Sequence, residues 1–210
     1  MKKLKITLLA MLSIVLVNNT YAQDLREGFH FGLKAGTNMS NIWDREAQNF
    51  TSDPLIGFAG GGFVAIPLGK FLAIQPEIMF SQKGFRGSGK VLGIDYEMQR
   101  RTNFLEFPIL LAVRPFPFLS IVAGPQFSFL LSQKDDITVG GVSASETEKF
   151  ENDNWRKNQL GMHLGLDINV KHFVISPRAA IDFLDNNGDG TSSDPNYKNF
   201  YVQLTIGYKF

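Results

Sequence analysis

Hydrophobic and polar residues alternate with a period of two in eight stretches of this chain, the spacing of a strand that shows each of its faces to a different environment. In the first stretch Phe29, Phe31, Leu33 and Ala35 share one face, and His30, Gly32, Lys34 and Gly36 the other. The sixth is the cleanest, with Leu160, Met162, Leu164, Leu166 and Ile168 alternating with Gln159, Gly161, His163, Gly165, Asp167 and Asn169. The second is the weakest, with Phe58, Gly60, Gly62, Val64 and Ile66 assigned outward against Gly57, Ala59, Gly61, Phe63 and Ala65. Across all eight, one face carries no charge, and every charge within a stretch lies on the other. A Lys or Arg facing lipid near the bilayer midplane costs roughly 2–4 kcal/mol, so this segregation is what a membrane selects. A soluble barrel would reverse it, with an apolar lumen and a wet exterior.

The connections alternate in length. Short links at residues 67–70, 114–117 and 171–172 separate long polar segments at 40–54, 82–101, 132–158 and 184–199. Short turns face the periplasm and long loops the outside in outer-membrane barrels. The pattern therefore predicts an all-β fold: an eight-stranded antiparallel up-and-down transmembrane β-barrel with short periplasmic turns and long extracellular loops. An even strand number puts both chain ends in the periplasm. Pro76 and Pro177 fall inside predicted strands, where proline removes a ladder donor, so a bulge or local break is expected at each.

Lys2, Lys3 and Lys5 precede an apolar run over residues 6–17, which leads into Thr20, Tyr21 and Ala22. Basic, apolar, then small is the order of a secretory signal peptide, and the run is shorter than the ~20 residues that a spanning helix needs. The expected division is a signal peptide over 1–22 and a barrel domain over 23–210. Losing the three lysines takes the formal charge from +1 to −2, which leaves no basic excess to bind nucleic acid. With no cysteine, disulfides and thiolate metal sites are excluded. The chain ends on the eighth stretch, whose terminal Phe210 follows aromatic or aliphatic residues at every second position, as in the assembly signal read by the barrel-insertion machinery.

Counted from the periplasmic end of each strand, Lys34, Glu77, Glu106, His163 and Arg178 fall at similar heights on the inner face. In a narrow lumen they form a polar layer in which opposite charges pair. The catalytic rival sets Glu77 and Glu106 around an acid/base His163, but no serine nucleophile lies at that height, and no catalytic residue is assigned. In the last long segment Asp185, Asn187, Asp189 and Gly190 match the first, third, fifth and sixth positions of an EF-hand calcium loop. Its twelfth position is Asn196 in place of the bidentate Glu, and the same residues also favour turns. Calcium is the one cofactor candidate. The segment 132–158 is acidic around Asp135, Asp136, Glu146, Glu148 and Glu151, which suits either a solvated loop or a docking surface. Trp43 and Trp155 fit an interfacial aromatic belt.

The stretches Phe31-Gly32-Leu33-Lys34-Ala35-Gly36 with Asn38, Gln75-Pro76-Glu77 through Ser81-Gln82-Lys83-Gly84, Leu105-Glu106-Phe107-Pro108, and Gly124-Pro125 resemble the PorT-like outer-membrane β-barrel proteins common in Bacteroidetes. The resemblance spans nearly the whole mature chain and implies an outer-membrane location and this fold. Members include a component required by the type IX secretion system, so it also implies a partner in secretion or at the surface. It transfers no catalytic residue. The function expected is non-enzymatic, structural or interactive; a small ligand-binding or transport barrel is the alternative, and a lipid-modifying or proteolytic enzyme a third.

Overall fold

The computed structural model describes residues 28–43, 51–91, 94–149, 157–186 and 197–210. They form β1 (His30–Trp43), β2 (Thr51–Pro67), β3 (Leu72–Val91), β4 (Ile94–Phe116), β5 (Leu119–Val139), β6 (Val142–Lys149), β7 (Asn158–Val170), β8 (Phe173–Asp182) and β9 (Lys198–Lys209). All pairings are antiparallel, and the order β4-β3-β2-β1-β9-β8-β7-β5 closes through a β4–β5 pairing. Nine strands are present among the described residues where eight were expected, and the ring itself passes through eight of them. The ninth, β6, pairs with β5 beyond the point where β7 leaves it, over Ser132↔Lys149 to Val139↔Val142. It is the outer continuation of the β7 position, and the signal peptide assignment over 1–22 lies outside the described residues.

Much of what was expected to be loop is strand. β3 and β4 stay paired from Leu72↔Val113 to Val91↔Ile94, far past the apolar band. β5 and β6 are joined by Gly140 and Gly141, with φ of 56° and 85°. Positive φ at both central residues is the requirement of a two-residue type I′ hairpin turn, which glycine meets without a Cβ clash. Polar composition had marked these segments as loops. A sheet that is wet on both faces is just as polar, so composition could not separate the two.

The alternation holds in all eight ring strands. Phe31, Leu33, Phe58, Ile78, Ile109, Phe127, Leu164 and Leu204 face outward and are exposed. In the weakest stretch Phe63 and Ala65 are buried while Phe58 and Ile66 are exposed, as assigned. A row of such lipid-facing positions runs Leu119, Ile168, Ile175, Ile206, Ala35, Gly60, Phe80, Leu105 and back to β5 at Phe129, ten residues from its start. That offset is the shear of the barrel, and with eight strands it sets a tilt of about 40° and a backbone radius of about 8 Å.

Pro76, Pro108, Pro125 and Pro177 interrupt the ladder without shifting it. Pro76 pairs with Ile109 on β4, but the β2–β3 ladder skips from Phe63↔Glu77 to Ile66↔Ile74 in unchanged register. Pro177 pairs with Leu204 on β9, and the β7–β8 ladder skips from Gly165↔Arg178 to Ile168↔Ile175. Pro108 and Pro125 behave the same way toward β3 and β4. A residue in an antiparallel strand points its N–H and C=O at one neighbour only, so proline loses a rung on that side and keeps the other. The expected breaks are present and the bulges are elsewhere, between Pro54 and Ala59, Asn103 and Phe104, and Val113 and Phe116.

Candidate functional site

The inward positions of β1, β3, β7 and β8 converge on Glu77. Lys34 Nζ donates to its Oε2, and Arg178 grips both oxygens, Nη1 to Oε2 at 2.8 Å and Nη2 to Oε1 at 3.0 Å. Arg178 Nη2 also donates to Asp167 Oδ1 at 3.0 Å, and Gln75 Nε2 donates to both carboxylates at 2.9 Å. Two cations face two anions, all buried. The planar guanidinium fork suits this bidentate geometry. Pairing of this quality is what makes four charges tolerable away from water.

A second cluster lies toward the outer end. Lys83 Nζ reaches Glu106 Oε1 at 2.9 Å and both oxygens of Asp182 at 3.2 Å. Its ammonium also sits 4.4 Å from the Tyr201 ring centroid and 4.9 Å from that of Phe104, within cation–π range. The Tyr201 hydroxyl donates to Gln126 Oε1 at 2.7 Å and lies 2.9 Å from His163 Nε2, while Gln126 Nε2 donates to Glu106 Oε1 at 3.0 Å. Asn199 Nδ2 donates to Asp182 Oδ2 at 2.9 Å.

All five expected lumen residues are buried and inward, in two groups where a single layer was expected. Lys34, Glu77 and Arg178 meet in one; Glu106 and His163 belong to the other. Equal counting along strands ignored a shear that lifts the row by ten residues per circuit. Asp167, Asp182, Gln75, Gln126 and Tyr201 were on the inner face but not singled out, and Lys83 was assigned to a loop. Continuing the parity of Glu77, Met79 and Ser81 to Lys83 and Phe85 was the signal that could have found it.

The rival acid/base centre is not assembled, because Glu77 and Glu106 lie in different clusters and each is held by a cation. Of the calcium candidates, Asn187 and Asp189 lie outside the described residues. Asp185 has Lys198 Nζ at 3.8 Å, and its backbone carbonyl accepts from Gln159. Among the described residues no group of three His, Cys, Asp or Glu side chains is placed to hold a metal. The lumen has water-sized cavities at its two ends: about 20 Å³ at the periplasmic end beside Arg114, Asp167 and Lys209, and about 10 Å³ at the outer end beside Gln133 and Asn199.

At the periplasmic rim Phe210 closes the seam: its N–H donates to the Phe31 carbonyl at 2.8 Å, and its ring stacks on Phe31 and meets Tyr208 edge-on. Trp43 is exposed at the outer end of β1, under the Lys198 ammonium.

A closed, sheared ring with an apolar exterior and a charged, packed interior defines a transmembrane β-barrel. Residues 21–183 match the family model described as the outer membrane protein beta-barrel domain. The chain belongs to that family and is a protein of the outer membrane. No curated protein matches it in sequence. Among solved structures it is similar to Ail, the attachment invasion locus protein of Yersinia pestis, at 16% identity over 86% of this chain and 98% of that one, with a TM-score of 0.49. It is also similar to Neisserial surface protein A, at 12% identity over 88% and 100% with a TM-score of 0.45. OprG from Pseudomonas aeruginosa is 12% identical over 90% and 99%, with a TM-score of 0.41.

Proposed function

We propose that this barrel acts from its outer surface, as a structural or interaction protein and neither an enzyme nor a pore. The observation that carries this reading is the lumen, where every carboxylate of the two clusters is already paired with a cation and the two cavities described at its ends are water-sized. In this reading Lys34, Glu77, Glu106, His163 and Arg178 serve the barrel's rigidity. Residues 1–22 are the signal peptide removed on export, and Phe210 is the mark read by the insertion machinery. The PorT-like stretches support a place in that branch of the family and an accessory role in type IX secretion.

The sheet formed by β3, β4, β5 and β6 outside the lipid band is the surface for a protein partner. β6 has β5 as its only strand neighbour among the described residues, and a strand edge of this kind accepts another strand. The test uses a deletion strain complemented with the wild-type gene or with a form in which residues 136–145 are replaced by Asn-Gly. Cargo protein in the medium should fall in the deletion strain, return with the wild type, and stay low with the shortened hairpin. Normal cargo in the deletion strain would remove the secretion role.

A further inference from the structure

Above the lipid band the outward positions of β3, β4 and β5 change chemistry row by row. The last apolar row joins Phe80, Leu105 and Phe129, with Leu131 exposed beside it. The next joins Gln82, Asn103 and Ser132, where Gln82 Nε2 donates to Asn103 Oδ1 at 3.0 Å and Asn103 Nδ2 to Ser132 Oγ at 2.9 Å. Arg101 and Lys134 pair in the row beyond, and Arg86, Gln99 and Asp136 in the one after. Apolar, then amide and hydroxyl, then cationic is the order in which a phosphorylated glycolipid presents its acyl chains, sugar and phosphate.

We infer that this face of β3, β4 and β5 binds the headgroup of a phosphorylated glycolipid in the outer leaflet, with Arg101, Lys134 and Arg86 on its phosphate. Arg86, Arg101 and Lys134 carry three positive charges against Asp136 within the rows and Asp53, which pairs with Arg86 from β2. Arg86 Nε donates to Gln99 Oε1 at 3.2 Å and Lys134 Nζ lies 2.9 Å from Asp136 Oδ1. Arg101 Nε is sealed from water and has no hydrogen-bond partner among the described residues. Asp136 is held ionised below the usual carboxylate range, first by a hydrogen bond with Ser145 and then by Lys134, so it keeps the Lys134 ammonium on this face. Arg101 and Lys134 stand three or four residues above the last apolar positions, about 10 Å along the tilted strands. Long cationic side chains span that distance by laying their stems down toward the interface.

The test is lipid retention by the full-length barrel extracted in mild detergent, read by native mass spectrometry with bisphosphorylated or dephosphorylated lipid A as probe. Wild type should retain the bisphosphorylated form. R101Q/K134Q, checked for the heat-modifiable migration of a folded barrel, should retain about a hundredfold less, the factor for losing two charge-assisted hydrogen bonds. Dephosphorylated lipid A should bind wild type no better than the variant binds the intact probe. Equal retention of the two lipids by wild type overturns the assignment on a protein whose folding is not in doubt. Displacement of the lipid by millimolar inorganic phosphate also overturns it, because the site would then read free phosphate.

Discussion

Glu77 is the residue on which the lower cluster turns, since it accepts from Lys34, Gln75 and both terminal nitrogens of Arg178. Glu77→Gln keeps the shape and removes the charge, leaving Lys34 and Arg178 to share Asp167. Removing one partner of a buried pair costs about 3–5 kcal/mol, whereas an exposed pair is worth about 0–1 kcal/mol. Lys90 and Asp95 are such an exposed pair, 71% and 79% accessible. Guanidinium unfolding of the detergent-folded barrel should therefore show a large loss for Glu77→Gln and almost none for Asp95→Asn. Similar midpoints for both would mean that the lower cluster contributes no stability. At this scale the sequence was half legible. Parity alone puts Lys34, Glu106 and Arg178 inside, because hydrocarbon penalises an outward charge whatever its neighbours. Their partners depend on the shear accumulated over eight registers, which no single strand carries, so Lys83 with Asp182 and Tyr201 with His163 emerge only once the ring is closed.

Among the elements, the seam between β1 and β9 joins the first strand of the ring to the last in sequence. Gly36 faces inward there, opposite Thr205, and a Cβ built on it would meet the Leu204 carbonyl oxygen at 1.9 Å and the Thr205 Cα at 2.7 Å. Both are backbone atoms, so a side chain cannot move aside; the strands must part. Gly36→Ala should reduce the yield of the fast-migrating, heat-modifiable form and destabilise what does fold by about 1–3 kcal/mol, the cost of forcing extra atoms into a packed site. Gly62, on the lipid face, has only the Gly32 carbonyl oxygen and a Leu33 methyl at ordinary contact distance, so Gly62→Ala should fold as wild type does. Equal yields for the two variants would show that the seam is looser than its register implies. Strand existence and facing were readable from alternation. The outer hairpins were not, since their alternation carries no hydrophobic signal and only Gly140-Gly141 announced a turn.

For the whole molecule the question is whether this ring conducts. A backbone radius of about 8 Å, less the inward side chains, leaves no continuous water path among the described residues unless the clusters rearrange. Any axial opening has to pass Glu77 with Lys34 and Arg178, and then Lys83 with Glu106 and Asp182. If each cluster costs about 3–5 kcal/mol to break, opening both costs about 6–10 kcal/mol, and the open state is populated about once in ten thousand or less. Reconstituted in a planar bilayer at moderate voltage, the barrel should give no steady ohmic step, only rare brief openings. A variant that removes the outer restraint alone, Lys83→Met, should raise the frequency of those openings without making them long, because the lower cluster stays shut. Steady conductance from the wild type would mean that the charges line a path instead of filling one, and would make transport, the alternative, the leading reading.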